Sequence, residues 1–140
     1  MNNWERNVTE AETKRDGFIC WYRNPQQPGQ SSLGIAYRDG EQHKIVRPDF
    51  IFFAKQKDGT VVADLVDPHG FHLSDALPKL RGIAEYAAAH GDVFRRIEAI
   101  ADVDKKLRVL DLTREDVRQS LTEAKDVLTL YRSNLAADYV

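Results

Sequence analysis

Two short apolar segments, each with an acid at one end, constrain the fold of this chain more than any other feature. Asp49 precedes the apolar residues 50–53, and Asp67 follows the apolar residues 61–66, with a Lys-Asp-Gly turn at 57–59 between the segments. This pattern predicts two strands joined as a hairpin. Both carboxylates then lie at one end of the hairpin. Because hard divalent cations take oxygen ligands, the pattern indicates a metal site suited to phosphodiester hydrolysis.

The remaining pattern predicts the order α-β-β-β-β-α-β-β-α. The predicted elements are a helix over 3–15, strands over 18–23, 33–37, 44–55 and 61–66, a helix over 74–90, strands over 93–103 and 107–112, and a last helix over 113–139 capped by Thr113. An Asp-Gly pair at 39 and 40 predicts the hairpin turn before the third strand. With 140 residues, 42% of them hydrophobic, we expect a single α/β domain over 1–140.

Charge and cysteine content restrict the functional classes. The net charge of -2 gives no overall attraction to nucleic acid, so DNA binding would need a local basic patch or a neighbouring domain. The candidate patch residues are Lys44, Arg47, Lys55, Lys57 and Lys79. A single cysteine, Cys20, excludes a disulfide framework and fits a reduced cytoplasmic setting. No apolar stretch reaches the roughly 20 residues that a membrane span needs, so we expect a soluble protein.

The two acidic segments resemble the PD-(D/E)XK nuclease superfamily. In that superfamily a Pro-Asp pair opens one core strand, and an acid-X-Lys motif lies on the next. The Pro-Asp pair that ends in Asp49 matches the first half. In the second half, the Asp-Pro-His-Gly sequence at 67–70 places His69 where the superfamily has Lys. An alternative alignment takes Asp64 as the acid and has Val in place of Lys, and both alignments stay open.

Further segments extend the resemblance over about residues 4–121. The sequences WYRNP at 21–25, LGIAY at 33–37 and LPKLRG at 77–82 are similar to the C-terminal nuclease-like region of type III restriction-type DEAD/DEAH-box helicases. The resemblance implies a restriction-endonuclease-like αβββαβ core, with a mixed central sheet flanked by helices and an extra C-terminal helix. It also implies DNA as substrate and a helicase motor as partner, either in cis or as a modification/helicase subunit. The chain would then be a domain of a longer helicase-nuclease.

The resemblance also implies the ligands of a Mg²⁺ or Mn²⁺ cofactor. Asp49 and Asp67 are the first pair, with Asp64 as the alternative second acid. Asp64 lies within an apolar strand, where a carboxylate is costly to bury unless it is paired or binds a cation. Glu12 on the first helix is the candidate for a further acid of the kind that helix supplies in the superfamily.

Two residues are candidates for the role of the missing Lys. His69 would act as a base, and Lys79 near the start of the central helix would place a positive charge on the phosphate. Because His69 and His72 form a His-X-X-His pair, a mixed zinc or manganese site with Asp67 is a weaker alternative.

Two readings without catalysis compete with the nuclease. One is a catalytically inactive nuclease-fold module that binds DNA or docks a partner. The other is a purely structural α/β domain, in which the acids would be paired with Arg or Lys. The sequence leaves this choice open.

Overall fold

The computed structural model describes residues 1–69 and 76–139, and all statements about elements concern these residues. The elements follow the order α-β-β-β-β-β-α-β-β-α-α-β. They are α1 (Asn3–Thr13), β1 (Phe18–Arg23), β2 (Ile35–Asp39), β3 (Gln42–Val46), β4 (Phe50–Lys55), β5 (Val61–Pro68), α2 (Ala76–His90), β6 (Arg96–Val103), β7 (Lys106–Asp111), α3 (Glu115–Glu123), α4 (Val127–Arg132) and β8 (Ala137–Asp138).

A mixed central sheet organises the described residues. Its strand order is β1-β4-β5-β6-β7-β8. The β5–β6 pair is parallel, and the other neighbouring pairs are antiparallel. A parallel pair needs a crossover connection, and α2 lies in the connection from β5 to β6. The predicted α/β class, with a mixed sheet and flanking helices, is confirmed.

The helices cover both faces of this sheet. Successive strand residues point to opposite faces, and Leu65 and Val66 on β5 accordingly belong to different hydrophobic clusters. Val66 packs in the cluster that contains Val8 of α1. Leu65 packs in the larger cluster, with residues of α2, α3 and α4. The chain therefore forms three layers, with α1 on one side and the other helices opposite.

The predicted strand over 44–55 is wrong as a single element. The chain leaves β3 at Val46 and begins β4 at Phe50, and β3 pairs with β2 in a separate two-stranded sheet. Pro48 lies in the break, and proline cannot donate a ladder hydrogen bond. The two-residue connection between Asp39 and Gln42 matches the predicted turn, and Gly40 has a φ of 64°.

The predicted helix over 113–139 is also wrong as a single element. It is replaced by α3, α4 and the short strand β8, because Ala124 and Asp126 both take extended backbone angles. Thr113 does not cap α3, since its hydroxyl donates to Asp111 at 2.6 Å and Arg114 occupies the N-cap position. The predicted start of the central helix, Ser74, lies outside the described residues.

The β2–β3 hairpin packs on α2 through a close contact. A Cβ built on Gly82 of α2 would lie 2.5 Å from Cβ of Tyr37, and Tyr37 is only 4% exposed. The glycine therefore serves the approach of the hairpin to the helix. This contact also holds the hairpin from which the chain continues, through residues 47–49, into β4.

We predict that Gly82→Ala destabilises the protein, although alanine favours helix by about 1 kcal/mol over glycine. The added methyl group has to displace Tyr37, and overpacking of this kind costs about 1–3 kcal/mol. Urea unfolding measures the change. The matched control is Gly29→Ala, because a Cβ at Gly29 meets nothing within 4 Å; equal stabilities of the two variants would contradict the prediction.

Candidate functional site

The register of β4 and β5 places Asp49 beside Asp67. Phe50 pairs with Val66 in this antiparallel ladder, so the residue before Phe50 and the residue after Val66 face each other at the end of the pair. The backbone N–H of Asp49 donates to Oδ1 of Asp67 at 3.1 Å. The two acids that the sequence singled out are therefore neighbours.

The two acids line a cavity of about 280 Å³. It lies where β5, the connection from β3 to β4, and α2 meet. Its lining residues are Gln26, Ile45, Val46, Arg47, Asp49, Asp67, Pro68, His69 and Lys79. Four of the six candidate site residues thus line one cavity. They are Asp49, Asp67, His69 and Lys79.

Burial and neighbouring negative charges make the two carboxylates harder to ionise. Burial, followed by the negative charge of Asp49, raises the pKa of Asp67 to about 8. Burial and the charge of Glu5 raise the pKa of Asp49 to about 6, against the lowering effects of Arg23 and Lys79. At neutral pH, Asp67 is mainly protonated and Asp49 mainly ionised. The positive charges of Arg23 and Lys79 therefore do not offset the effect of burial on the two pKa values.

Glu5 and Gln26 also belong to the surroundings of the pair, and the sequence analysis missed both. Glu5 is 8% exposed and forms a capping box with Asn2 at the start of α1, a sequence signal that could have located it. Nε2 of Gln26 donates to Oδ1 of Asp49 at 3.4 Å and to the carbonyl of Asn24 at 3.1 Å. Gln26 lies in an irregular segment, where no periodicity marks it.

The ring of His69 is hydrogen-bonded to a buried tyrosine. Its Nε2 lies 2.7 Å from the hydroxyl of Tyr131 on α4, and its backbone N–H donates to the carbonyl of Ile100 on β6 at 2.8 Å. Burial, with a smaller effect from Asp67, raises the pKa of Tyr131 well above its usual value. Tyr131 therefore stays a neutral phenol and fixes one nitrogen of the His69 ring.

The structure does not bring Asp64 and Glu12 to this cavity. Both are buried, at 1% and 2% exposure, and both bind Arg96 of β6. Nη1 of Arg96 donates to Glu12 at 2.8 Å and to Asp64 at 3.1 Å. Nε of Arg95 adds a bond of 3.0 Å to Asp64, so two arginines compensate this carboxylate.

The pKa of Glu12 is shifted in the opposite direction to those of Asp49 and Asp67. Burial favours its neutral form, but hydrogen bonds from Arg96 and Tyr139 hold the pKa of Glu12 below its usual range. Asp64, the alternative second acid, and Glu12, the candidate further ligand, thus lie in a buried ion-pair cluster with Arg96 and not in the cavity. Of the two alignments, the one with Asp67 has its acid in the cavity.

Metal ligands are few in the described part of the chain. Within residues 1–69 and 76–139, no group of three or more His, Cys, Asp and Glu side chains is arranged to hold a metal ion. Asp49 and Asp67 supply two carboxylates, which is the number that Mg²⁺ often takes from a protein when water and substrate oxygens complete its shell. The His-X-X-His alternative needs His72, which lies outside the described residues.

The predicted basic patch is not one surface. Nζ of Lys44 pairs with Asp39 at 2.8 Å. Lys55 ends β4 and Lys57 lies in the turn after it, at the opposite end of the β4–β5 hairpin from Asp49. Arg47 and Lys79 line the cavity.

Among residues 1–69 and 76–139, no helix combines the length and the apolar character that a bilayer crossing requires.

Comparison with known proteins gives one family. Residues 1–140 match the family described as "YagJ family". The chain is 62% identical over 139 residues to "Protein YagJ" of Escherichia coli (strain K12), a match that covers 99% of this chain and 57% of that protein. The chain thus spans a little over half the length of this curated relative. No solved structure matches the chain.

The raised pKa of Asp67 predicts a pH-dependent stability. An acid whose pKa is higher in the folded state than in the unfolded state destabilises the fold progressively as pH rises through the two values, here from about 4 to about 8. Asp67→Asn removes this titration but keeps the acceptor for the N–H of Asp49. We expect the variant to be more stable than the wild type above pH 8 by roughly 1–3 kcal/mol, after allowance for partial exposure, with little difference at pH 4.

Urea unfolding between pH 4 and pH 9 makes this measurement. Asp102→Asn is the control, because Asp102 is an exposed carboxylate on β6. Parallel stability curves for wild type and Asp67→Asn would refute the buried-acid assignment.

The ion-pair cluster predicts a large loss of stability when Arg96 is replaced. Arg96→Met leaves two buried carboxylates, Glu12 and Asp64, without their shared cation, a change that costs about 3–5 kcal/mol. Chemical denaturation measures the loss against Arg38→Met, which removes an exposed arginine of β2. A loss below about 1 kcal/mol would show that the cluster is no more than a surface network.

Proposed function

We propose that this chain, which belongs to the YagJ family, is a restriction-endonuclease-like domain that hydrolyses phosphodiester bonds of DNA with a divalent cation held by Asp49 and Asp67. The observation that carries the proposal is the pair itself. Its two acids are joined by a backbone hydrogen bond and line one cavity, and their pKa values are raised to about 6 for Asp49 and about 8 for Asp67. A divalent cation relieves both the repulsion and the burial penalty.

The connectivity supports the proposed fold family. Without the β2–β3 hairpin, the elements α1, β1, β4, β5, α2 and β6 follow the αβββαβ order. The first three of these strands are antiparallel neighbours, and the fourth joins parallel to the third after α2. In this proposal the β2–β3 hairpin is an insertion that forms one wall of the site.

The proposed roles follow from position. Asp49 and Asp67 would hold Mg²⁺ or Mn²⁺, which when bound supplies positive charge to the phosphate and lowers the pKa of bound water. Asp67 has to release its proton before it can act as a ligand, so cation binding is favoured at higher pH. Lys79 contributes positive charge to the same cavity and stabilises the phosphoryl group. His69, oriented by Tyr131, occupies the position of the superfamily Lys.

A second candidate function is a catalytically inactive module of the same fold that binds DNA or docks a partner. The observation that favours it is the bond between His69 and Tyr131, because an imidazole held in this way is a poorer phosphate ligand than a Lys ammonium. The proposed partners in both cases are DNA and a helicase motor, in cis or as a separate modification/helicase subunit. The residues of the E. coli relative outside the match are where a cis partner would be sought.

Cation binding and DNA cleavage test the proposal together. We expect calorimetry to detect Mn²⁺ binding that strengthens from pH 6.5 to pH 8.5, accompanied by proton release. We also expect cleavage of plasmid DNA with Mg²⁺ or Mn²⁺. Asp49→Asn and Asp67→Asn should each reduce cleavage by at least about a hundredfold while remaining folded.

Asp64→Asn is the informative control. Because Asp64 pairs with Arg95 and Arg96, its variant should lose stability but bind Mn²⁺ with unchanged affinity wherever it is folded. Cation binding without cleavage would favour the inactive module. A folded wild-type protein that binds neither cation at pH 8.5 would exclude the nuclease.

A further inference from the structure

Arg47 occupies a wall of the cavity. It lies between β3 and β4, two residues before Asp49. Its backbone is fixed, since Nε2 of Gln26 donates to the Arg47 carbonyl at 3.2 Å. A Cβ built on Gly34 would lie 3.9 Å from Cζ of Arg47, so the side chain packs against the β2–β3 hairpin. The guanidinium is therefore placed by its surroundings.

One nitrogen of this guanidinium has an unmet hydrogen-bond requirement. Nε of Arg47 is buried, and within the described residues it has no hydrogen-bond partner. A buried donor without a partner destabilises the fold, and more so when the group is charged. Arg47 also lines the cavity, so a ligand bound there can accept hydrogen bonds from the other N–H groups of the guanidinium.

The charges around the cavity indicate that this ligand is an anion. The cations that act on Asp49 are Arg23 and Lys79, and Lys79 also acts on Asp67. The hydrogen bond of Asp67 is with the backbone of Asp49. Within residues 1–69 and 76–139, neither acid forms an ion pair with Arg47. A guanidinium next to a cavity is well suited to a phosphate oxygen, because its N–H groups form a planar fork.

We infer that Arg47 binds a phosphate group of the nucleic-acid backbone in this cavity, adjacent to the Asp49–Asp67 pair. The inference rests on the proposed function for the identity of the substrate, whereas the unmet donor is independent of it. Arg47 would fix the position of the DNA strand relative to the two acids, and it would do so without a cation. Binding through a single phosphate contact is independent of base sequence.

The test uses the intact chain, a short fluorescein-labelled duplex DNA, and anisotropy in EDTA between about 50 and 200 mM KCl. Arg47→Met keeps the apolar stem and removes the charge, and Arg47→Lys restores the charge. We expect Arg47→Met to weaken binding about tenfold and to reduce the slope of log K against log salt by about one. Arg47→Lys should keep the wild-type slope with a smaller loss of affinity.

Arg38→Met is the matched control, because Arg38 is exposed near the other end of the same hairpin. Equal effects of Arg38→Met and Arg47→Met, or no DNA binding by the wild type at low salt, would overturn the inference. Circular dichroism establishes that each variant is folded. Because the assay contains EDTA, its result is independent of Mn²⁺ calorimetry, which decides the proposed function. Loss of DNA affinity in Arg47→Met, with unchanged Mn²⁺ binding, is the expected combination.

Discussion

The antiparallel pairing of β4 with β5 fixes the candidate site. A shift of this register by one residue would turn every side chain of one strand to the other face, which would expose Phe50 and Val66, both fully buried now. The hydrophobic clusters therefore determine the register, and the register determines that Asp49 meets Asp67. Burial of the apolar strand residues thus provides the free energy that holds two repelling carboxylates together.

Two groups of acids in the described residues, one buried and one partly buried, differ in their electrostatics. Glu12 and Asp64 both accept hydrogen bonds from Arg96, so a guanidinium compensates their negative charge. Asp49 and Asp67 have raised pKa values, and their environment favours proton uptake or cation binding. The acids of the first group are each paired with an arginine, as expected of acids with a structural role. The second group has the property expected of a functional site, since perturbed pKa values concentrate there.

Local sequence signals predicted the parts of the fold that local physics determines. The apolar segment of β5 and the Asp-Gly turn of the β2–β3 hairpin had clear local patterns, and their positions were predicted closely. Pro48 carried the signal for the break between β3 and β4, but the apolar residues on both sides of it favoured one long strand. The apolar residues spread over α3 and α4 fit a helical period, although Ala124 is extended. The partners of Arg96 depend on tertiary contacts, which no local pattern encodes.

The position of Arg47 links the inserted hairpin to the two acids. Pro48 ends the pairing of β3, so the chain must turn from the hairpin into β4 within residues 47–49. The same turn places a guanidinium and a carboxylate on one cavity. Among the described residues Arg47 forms no ion pair with Asp49, on which Arg23 and Lys79 act. In the proposed function, two acids beside a guanidinium suit a ligand that carries both signs, and a phosphodiester with its divalent counterion has this composition.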